Sequence, residues 1–316
     1  MKKTVIVITG PTASGKSGLG IEVAKRLNGV VISADSMQIY RGLDVGTAKV
    51  TTDEVQGINH ELIDIVDITQ NFSVSDYKDL CYSKIDEIFS CGKLPIIVGG
   101  TGLYINAVVN NMTFEKVDED TQNIVDKKVE EMTYGKSCDE LYDLLTELDE
   151  KAAVKIGKGN SKRIKRAIEL HILGTRKSDI DSRNDLWQKN ESKYNFLVVY
   201  IDMPRDLLYD RINKRVDQMI DMGVLEEVKS LYSIKDKNIT ACQAIGYKEF
   251  FGFLEGTMTL KECIEVLKQK TRNYAKRQIT WFKKLPDKLI VDGTKTKEEI
   301  IEDILKEYDE KNKYRK

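Results

Sequence analysis

Proline is scarce in this chain, at 4 of 316 residues, and the cysteines are few and scattered, at Cys81, Cys91, Cys138, Cys242 and Cys263. So little proline leaves room for long unbroken helices. An odd cysteine number without a C-x-x-C spacing argues against a disulfide framework or a zinc site and makes a reducing compartment the default. No apolar run approaches the ~20 residues of a membrane-spanning helix. The opening run Val5-Ile6-Val7-Ile8 is too short for a signal-peptide core and leaves no room for a transit peptide, so a cytoplasmic protein is expected. Neither sign of charge is in excess, with 50 Lys and Arg against 51 Asp and Glu. A near-neutral chain lacks the overall basic field that draws nucleic acid.

What is present is a foldable, helix-rich composition. Hydrophobic residues make up 41%, enough for a sizeable core and too many for a disordered chain. The length gives a prior of about two domains. The β-branched run Thr4–Thr9 reads as a strand buried on both faces, and Val30–Ile32, Pro95–Val98, Phe196–Ile201 and Lys288–Val291 repeat the pattern. Helix-like stretches Ser17–Leu27 and Asp76–Phe89 lie between them, and another begins near Pro204. Alternating strands and helices predict an α/β domain with a parallel sheet. From about Thr113 to Tyr194 the strand pattern gives way to helical spacing, as in Leu141, Leu144, Leu145 and Leu148 and in Ile164, Ile168 and Ile172. The expected organisation is a core of residues 1–112 and 195–316 with a helical insertion of residues 113–194.

Charge is distributed unevenly over these pieces. Thr113–Glu150 holds thirteen acidic residues against four lysines, whereas Lys158–Lys177 holds seven basic residues and one Glu. Lys268–Leu285 holds seven basic residues and no acid. A solvated helix face is the ordinary explanation of one charge run. Two basic runs in a neutral chain also suit an anionic partner.

Gly10-Pro11-Thr12-Ala13-Ser14-Gly15-Lys16-Ser17 matches G-x-x-x-x-G-K-[ST] and sits between a strand and a helix. Glycines let backbone N–H groups curl around phosphate, and the helix N-terminus adds positive potential. Lys16 adds a full charge, and the Ser17 hydroxyl can ligate Mg²⁺. This context sets the loop apart from a plain glycine-rich turn and implies a di- or triphosphate ligand. The nearest guanine-type motif, Asn213-Lys214-Arg215-Val216, fails at its last position. A kinase remains open on the loop alone.

The second strand runs into Ser33-Ala34-Asp35-Ser36-Met37-Gln38, and the third into Gly99-Gly100-Thr101-Gly102. Ligands of open parallel sheets bind beyond the carboxyl ends of strands. Asp35 is therefore a candidate proton acceptor, with a turn or cap residue as the alternative. Arg211 and Arg215 share one helix face opposite Leu208, Ile212, Val216 and Met219. Either arginine is a candidate anion clamp or an ordinary surface ion-pair partner.

Gly10–Ser17, Asp35–Tyr40, Gly46–Lys49, Gly99–Tyr104, Ala244–Glu249 and Thr271–Phe282 resemble, in order, the motifs of tRNA dimethylallyltransferases of the bacterial type (the tRNA isopentenyltransferase family). The resemblance implies a P-loop NTPase or nucleotide-kinase-like sheet with an inserted all-helical domain. It implies transfer of a dimethylallyl group from dimethylallyl diphosphate to the exocyclic amine of the adenosine just 3′ of the anticodon, in tRNAs reading codons that begin with U. Gly10, Pro11, Thr12, Ala13, Ser14, Gly15, Lys16 and Ser17 would then hold diphosphate, with Mg²⁺ on Ser17. Asp35 would be the general base, with Lys16, Thr101 and Arg215 completing the catalytic set. Arg215 gains this role from an Arg-x-x-x-Met-x-x-x-Gly pattern. Asp35, Ser36, Met37, Gln38 and Thr101 would meet the target nucleotide.

The resemblance also gives the basic runs a use. Lys162, Arg163, Ile164, Lys165 and Arg166 match a tRNA-contacting stretch. Arg272, Lys276 and Arg277, interleaved with Tyr274 and Trp281, offer charge and stacking surface for unpaired anticodon-loop bases. Core packing is the expected role of Trp281 and Phe282. The chain departs from the family at Asn59–Leu62 and Ile156–Asn160, which bears on tRNA contacts and not on the reaction class. A monomer is expected. The competing readings are a P-loop small-molecule or nucleoside kinase using ATP and an RNA-binding NTPase switch.

Overall fold

The computed structural model describes residues 2–114, 117–183, 190–235 and 240–313. Its strands are β1 (Thr4–Thr9), β2 (Gly29–Ser33), β3 (His60–Glu61), β4 (Leu94–Gly99), β5 (Asn195–Asp202) and β6 (Lys288–Asp292). They form one parallel sheet in the order β3-β2-β4-β1-β5-β6. β1 lies between β4 and β5, with Ile8 level with Val98 on one side and Val199 on the other. β1 and β4 are buried along their whole length, which is what β-branched runs covered on both faces require. The mixed α/β class with a parallel sheet is the one the sequence predicts. β3 has no counterpart in that expectation, since two residues with polar side chains leave no apolar run to detect.

The helices are α1 (Lys16–Arg26), α2 (Thr52–Val55), α3 (Val74–Ser90), α4 (Gly102–Val109), α5 (Glu119–Thr133), α6 (Cys138–Leu148), α7 (Glu150–Ile156), α8 (Ser161–Ile172), α9 (Lys177–Arg183), α10 (Arg205–Asp221), α11 (Val224–Tyr232), α12 (Phe251–Leu254), α13 (Leu260–Lys283) and α14 (Lys297–Lys313). α1 and α14 bury Leu19, Val23, Ile300, Ile301 and Ile304 against Ile6, Ile8, Val98 and Val199. Ser73 with Asp76, and Thr259 with Glu262, form reciprocal capping boxes that start α3 and α13. A second core joins α10, α11 and α13 through Val216, Met219, Val228, Leu231 and Leu267. Ile39, Tyr40 and Leu43, in the chain after β2, are sunk in that same core. The turn at Asp35 is thereby held between a strand on one side and a buried segment on the other.

The chain divides into two compact units, Met1–Asn111 with Glu191–Lys316, and Met112–Asn190. The second unit holds α5 to α9 around Leu141, Leu145, Ala153, Ile164, Ala167 and Ile168. Among the described residues, no helix is long and apolar enough to cross a membrane.

Candidate active site

The loop between β1 and α1 curls because Ala13 and Gly15 take left-handed backbone conformations, with φ of 62° and 89°. Gly15 is the N-cap of α1 and supplies no side-chain cap, so the first amides of the helix are left to a ligand. The Ser14 hydroxyl is buried without a hydrogen-bond partner among the described residues. An orphaned donor inside such a cradle fits an anion with several acceptor oxygens. Lys16 Nζ donates to the Pro11 carbonyl at 2.7 Å. Burial, with the Arg215 guanidinium as a second cause, lowers its pKa to about 7, against an opposing pull from Asp35.

Arg215 reaches this loop from α10. It donates to Thr12 Oγ1 at 3.4 Å and to the Thr47 carbonyl at 3.2 Å. Burial pulls its pKa down, and Asp35 and Glu54 pull it back up. Arg211, one turn earlier on α10, is exposed and does not line the cavity described below. Of the two arginines, Arg215 is the one that lines the cavity.

Asp35 follows β2 and closes a tight turn. Its Oδ1 accepts the Met37 amide at 2.9 Å and the Gln38 amide at 3.4 Å. Both bonds fall on one oxygen, so the other is not tied up by them. The turn role therefore occupies one oxygen of the carboxylate. Gln38 extends the bracing, donating to the Thr47 and Ala48 carbonyls at 3.3 Å each. Thr101 caps α4 by position yet makes no side-chain cap bond. Its hydroxyl instead accepts the Ser36 amide at 3.0 Å. The two turns are pressed together, since a Cβ on Gly99 would lie 2.2 Å from the Ala34 carbonyl oxygen. No side chain fits there.

A cavity of about 220 Å³ joins these groups. Thr12 and Arg215 line it from the phosphate-loop side, and Asp35, Ser36 and Thr47 line it from the turn side. Met37, Ile212, Val216, Met219 and Leu267 supply an apolar wall, and Gln243, Thr271 and Tyr274 add polar groups to the lining. The space thus sets Thr12 at the edge of the anion cradle, a guanidinium, a carboxylate and an apolar wall side by side, a set suited to a substrate with a diphosphate head and a short hydrocarbon tail.

The family described as IPP transferase matches residues 38–285. The tRNA dimethylallyltransferase of Acetivibrio thermocellus is 48% identical over 282 residues, covering 89% of this chain and 89% of that protein. The crystal structure of tRNA delta(2)-isopentenylpyrophosphate transferase from Staphylococcus epidermidis aligns with a TM-score of 0.71 and 39% identity, covering 98% of this chain and 100% of that one. A eukaryotic dimethylallyltransferase acting on tRNA aligns with a TM-score of 0.75 and 30% identity, covering 92% of this chain and 74% of that one. The chain belongs to the IPP transferase family.

The family match begins just beyond Asp35, whereas the similarity to the Staphylococcus epidermidis structure covers 98% of this chain. Ser17 is exposed at the start of α1. Among the described residues, no group of three or more His, Cys, Asp or Glu is placed to hold a metal ion. Mg²⁺ keeps several of its waters and is held through substrate phosphates with few protein ligands, and the hydroxyl that closes a phosphate loop would be one of them. Ser17 fits that part.

On α8, Lys162, Arg163, Lys165 and Arg166 are exposed, and Arg166 pairs with Glu169. Ile164 is a correction to the expected contact stretch. Its side chain is fully buried in the core of its own unit, because helical periodicity turns that position inward while its neighbours face out. On α13, Lys276 and Arg277 are exposed, whereas Arg272 donates to Asn213 Oδ1 at 2.7 Å. Phe282 is fully buried, as expected, and Trp281 is so close to Gly102 that a Cβ there would lie 2.4 Å from its ring. Tyr274 is half-buried and lines the cavity, where burial raises its pKa, and the Arg277 guanidinium lies 5.5 Å from its ring centre.

Two hubs escaped the sequence reading. Gln278 bonds to the Thr12 amide and to the Gly100 carbonyl. Glu227 accepts the amides of Asp44, Val45 and Gly46 and the Tyr247 hydroxyl, fixing the loop whose Thr47 carbonyl meets Arg215. For Gln278 a usable signal existed. Tyr274, Gln278 and Trp281 recur at helical spacing on one face of α13, and all of them meet the site. Glu227 carries no comparable local pattern.

Proposed function

We propose that this chain transfers a dimethylallyl group from dimethylallyl diphosphate to the exocyclic amine of the adenosine 3′-adjacent to the anticodon, in tRNAs reading codons that begin with U, and releases diphosphate. Membership of the IPP transferase family supports the tRNA substrate and the transferase class. The observation that carries the reading is the single cavity shared by Thr12, Arg215, Asp35 and an apolar wall. A kinase acting on ATP has less use for that wall. It would need room for a base and a sugar instead.

In the proposed reaction, the bond between the allylic carbon and the diphosphate oxygen breaks, and its electron pair leaves with diphosphate. The amine nitrogen forms the new bond to carbon and gives its proton to Asp35. Lys16, Arg215, the Ser14 hydroxyl and the loop amides hold the charge that grows on the leaving oxygens. Mg²⁺ held by Ser17 and the diphosphate would supply further charge neutralisation. The exocyclic amine of adenine is a poor nucleophile, because its lone pair is delocalised into the ring. A carboxylate relieving positive charge on that nitrogen contributes roughly 10²–10⁴-fold in rate. To reach the cavity, the adenosine leaves its stack. The basic faces of α8 and of Lys276 and Arg277 serve the tRNA backbone.

The test is incubation with Mg²⁺, unmodified tRNA and either labelled dimethylallyl diphosphate or labelled ATP. Label should enter tRNA from the prenyl donor alone. Consumption of ATP without prenylation would reverse the assignment in favour of a kinase.

A further inference from the structure

We infer that Gln278 is a positioning residue that locks the leaving-group cradle to the acceptor side of the site, an inference resting on the prenyl-transfer reading above. Gln278 sits on α13 and is 5% exposed. Its Oε1 accepts the Thr12 amide of the phosphate loop at 2.8 Å. Its Nε2 donates to the Gly100 carbonyl at 2.8 Å. One planar amide therefore spans two turns that are otherwise far apart in the chain. Those turns serve opposite halves of the reaction. Thr12 belongs to the diphosphate cradle. Gly100 precedes Thr101, whose hydroxyl holds the Ser36 amide in the turn that carries Asp35.

The fit leaves no slack on the Gly100 side. A Cβ at Gly100 would stand 2.4 Å from Gln278 Nε2. An amide matches the demand while staying uncharged at any pH. It must present an acceptor to an N–H and a donor to a carbonyl at the same time, which no apolar or singly charged side chain of this size does. Breaking the span frees the two turns to shift relative to each other, and misplacement by about 1 Å costs roughly a hundredfold in rate.

Gln278→Met keeps the volume and removes both bonds. It should lower the single-turnover rate per folded molecule roughly a hundredfold, while KM for either substrate moves less than about threefold. Gln278→Glu supplies the discriminating readout. As a carboxylate it keeps the bond to Thr12 and repels the Gly100 carbonyl. As a neutral acid it has an acceptor and an O–H donor, the glutamine pair. Its rate relative to wild type should climb as pH falls from about 8.5 to 5.5, since burial beside a carbonyl raises its pKa. The Gln278→Met ratio should stay flat over the same range.

Hydrogen exchange on the same proteins needs no turnover. Peptides spanning Gly10–Ser14 and Gly99–Gly102 should lose protection in Gln278→Met and regain it in Gln278→Glu at low pH. A Gln278→Met enzyme with wild-type rate per folded molecule, a flat Gln278→Glu ratio, or unchanged protection of both turns overturns the inference. A wild-type protein that does not prenylate tRNA overturns the functional reading instead, and the exchange result still decides whether the span exists.

Discussion

The Thr101 hydroxyl accepts the Ser36 amide at 3.0 Å and leaves its own helix, α4, without a side-chain cap. A threonine at an N-cap ordinarily bonds the amides of the turn that follows it. Here that capacity is redirected to the turn carrying Asp35, at the expense of helix stability. The same hydroxyl donates to Ser36 Oγ at 3.3 Å and also meets the Tyr274 side chain, so it ties the turn to α13 as well.

Replacing Thr101 by Val removes this bond and keeps the shape. The part-buried Ser36 amide then loses its partner, which costs up to about 1–3 kcal/mol where the turn must hold its place. The expected outcome is a fall in kcat/KM of roughly 5- to 100-fold, with Thr101→Ser close to wild type. Equal activity of Val and Ser at this position, measured with unmodified tRNA, would show that the redirected hydroxyl has no part in catalysis.

Asp35 braces a turn and, in the proposed reaction, accepts a proton, two tasks that Asn can separate. Asparagine keeps a side-chain oxygen for the Met37 and Gln38 amides that Asp35 Oδ1 now accepts. It has no basicity. Asp35→Asn should therefore melt within a few degrees of wild type and bind tRNA normally, while its single-turnover rate drops roughly 10²–10⁴-fold. A parallel loss of tRNA affinity would make Asp35 a binding residue.

Lys16 makes diphosphate binding sensitive to pH. In the ligand-free protein its pKa is lowered to about 7 by burial and by Arg215. A bound diphosphate raises it again, by supplying negative charge at hydrogen-bond distance. Below about pH 7 Lys16 is charged with or without ligand, and affinity is independent of this group. Above that pH, binding draws a proton from solvent, and affinity declines by up to about tenfold per pH unit. Titration calorimetry at pH 8, in buffers of different ionisation enthalpy, should show proton uptake greater for wild type than for Lys16→Met. Diphosphate's own ionisation cancels in that comparison. Identical uptake in both proteins would mean that Lys16 is already charged when the site is empty.

Much of this site is legible in the sequence because its parts are local. The β-branched run of β1, the glycine spacing and the terminal Lys16-Ser17 stand next to each other in the chain. The end of β2 places Asp35 by a rule about strand termini alone. Ile164 shows where a motif misleads, since a five-residue basic stretch was treated as one surface although a helix must turn some of it inward. Gln278 shows the other limit. Helical spacing marks its face of α13, but its partner Thr12 lies 266 positions away, and the packing of α13 across the sheet ends decides which turns it meets. Glu227, about 180 positions from the loop amides it accepts, is hidden for the same reason. The overall charge misled in a third way, because a neutral total concealed an acidic stretch and two basic ones.

The basic face of α8 gives a prediction that separates its charges from its fold. Lys162 and Arg163 are exposed, with Ile164 beneath them in the core of the inserted unit. If those cations neutralise tRNA phosphates, Lys162→Ala and Arg163→Ala each weaken binding across all tRNA substrates. Each should also reduce the slope of log affinity against log salt by roughly 0.7–0.9, the value of one released counterion. Ile164→Ala acts by another route. It removes buried methyl groups and costs about 2–5 kcal/mol of stability in that unit, leaving the salt slope of the folded fraction where it was. Filter-binding titrations over a range of salt, paired with thermal melts, separate the two. An unchanged slope in both cation variants would remove α8 from the tRNA footprint, and a changed slope in Ile164→Ala would mean that the basic face depends on the exact packing beneath it.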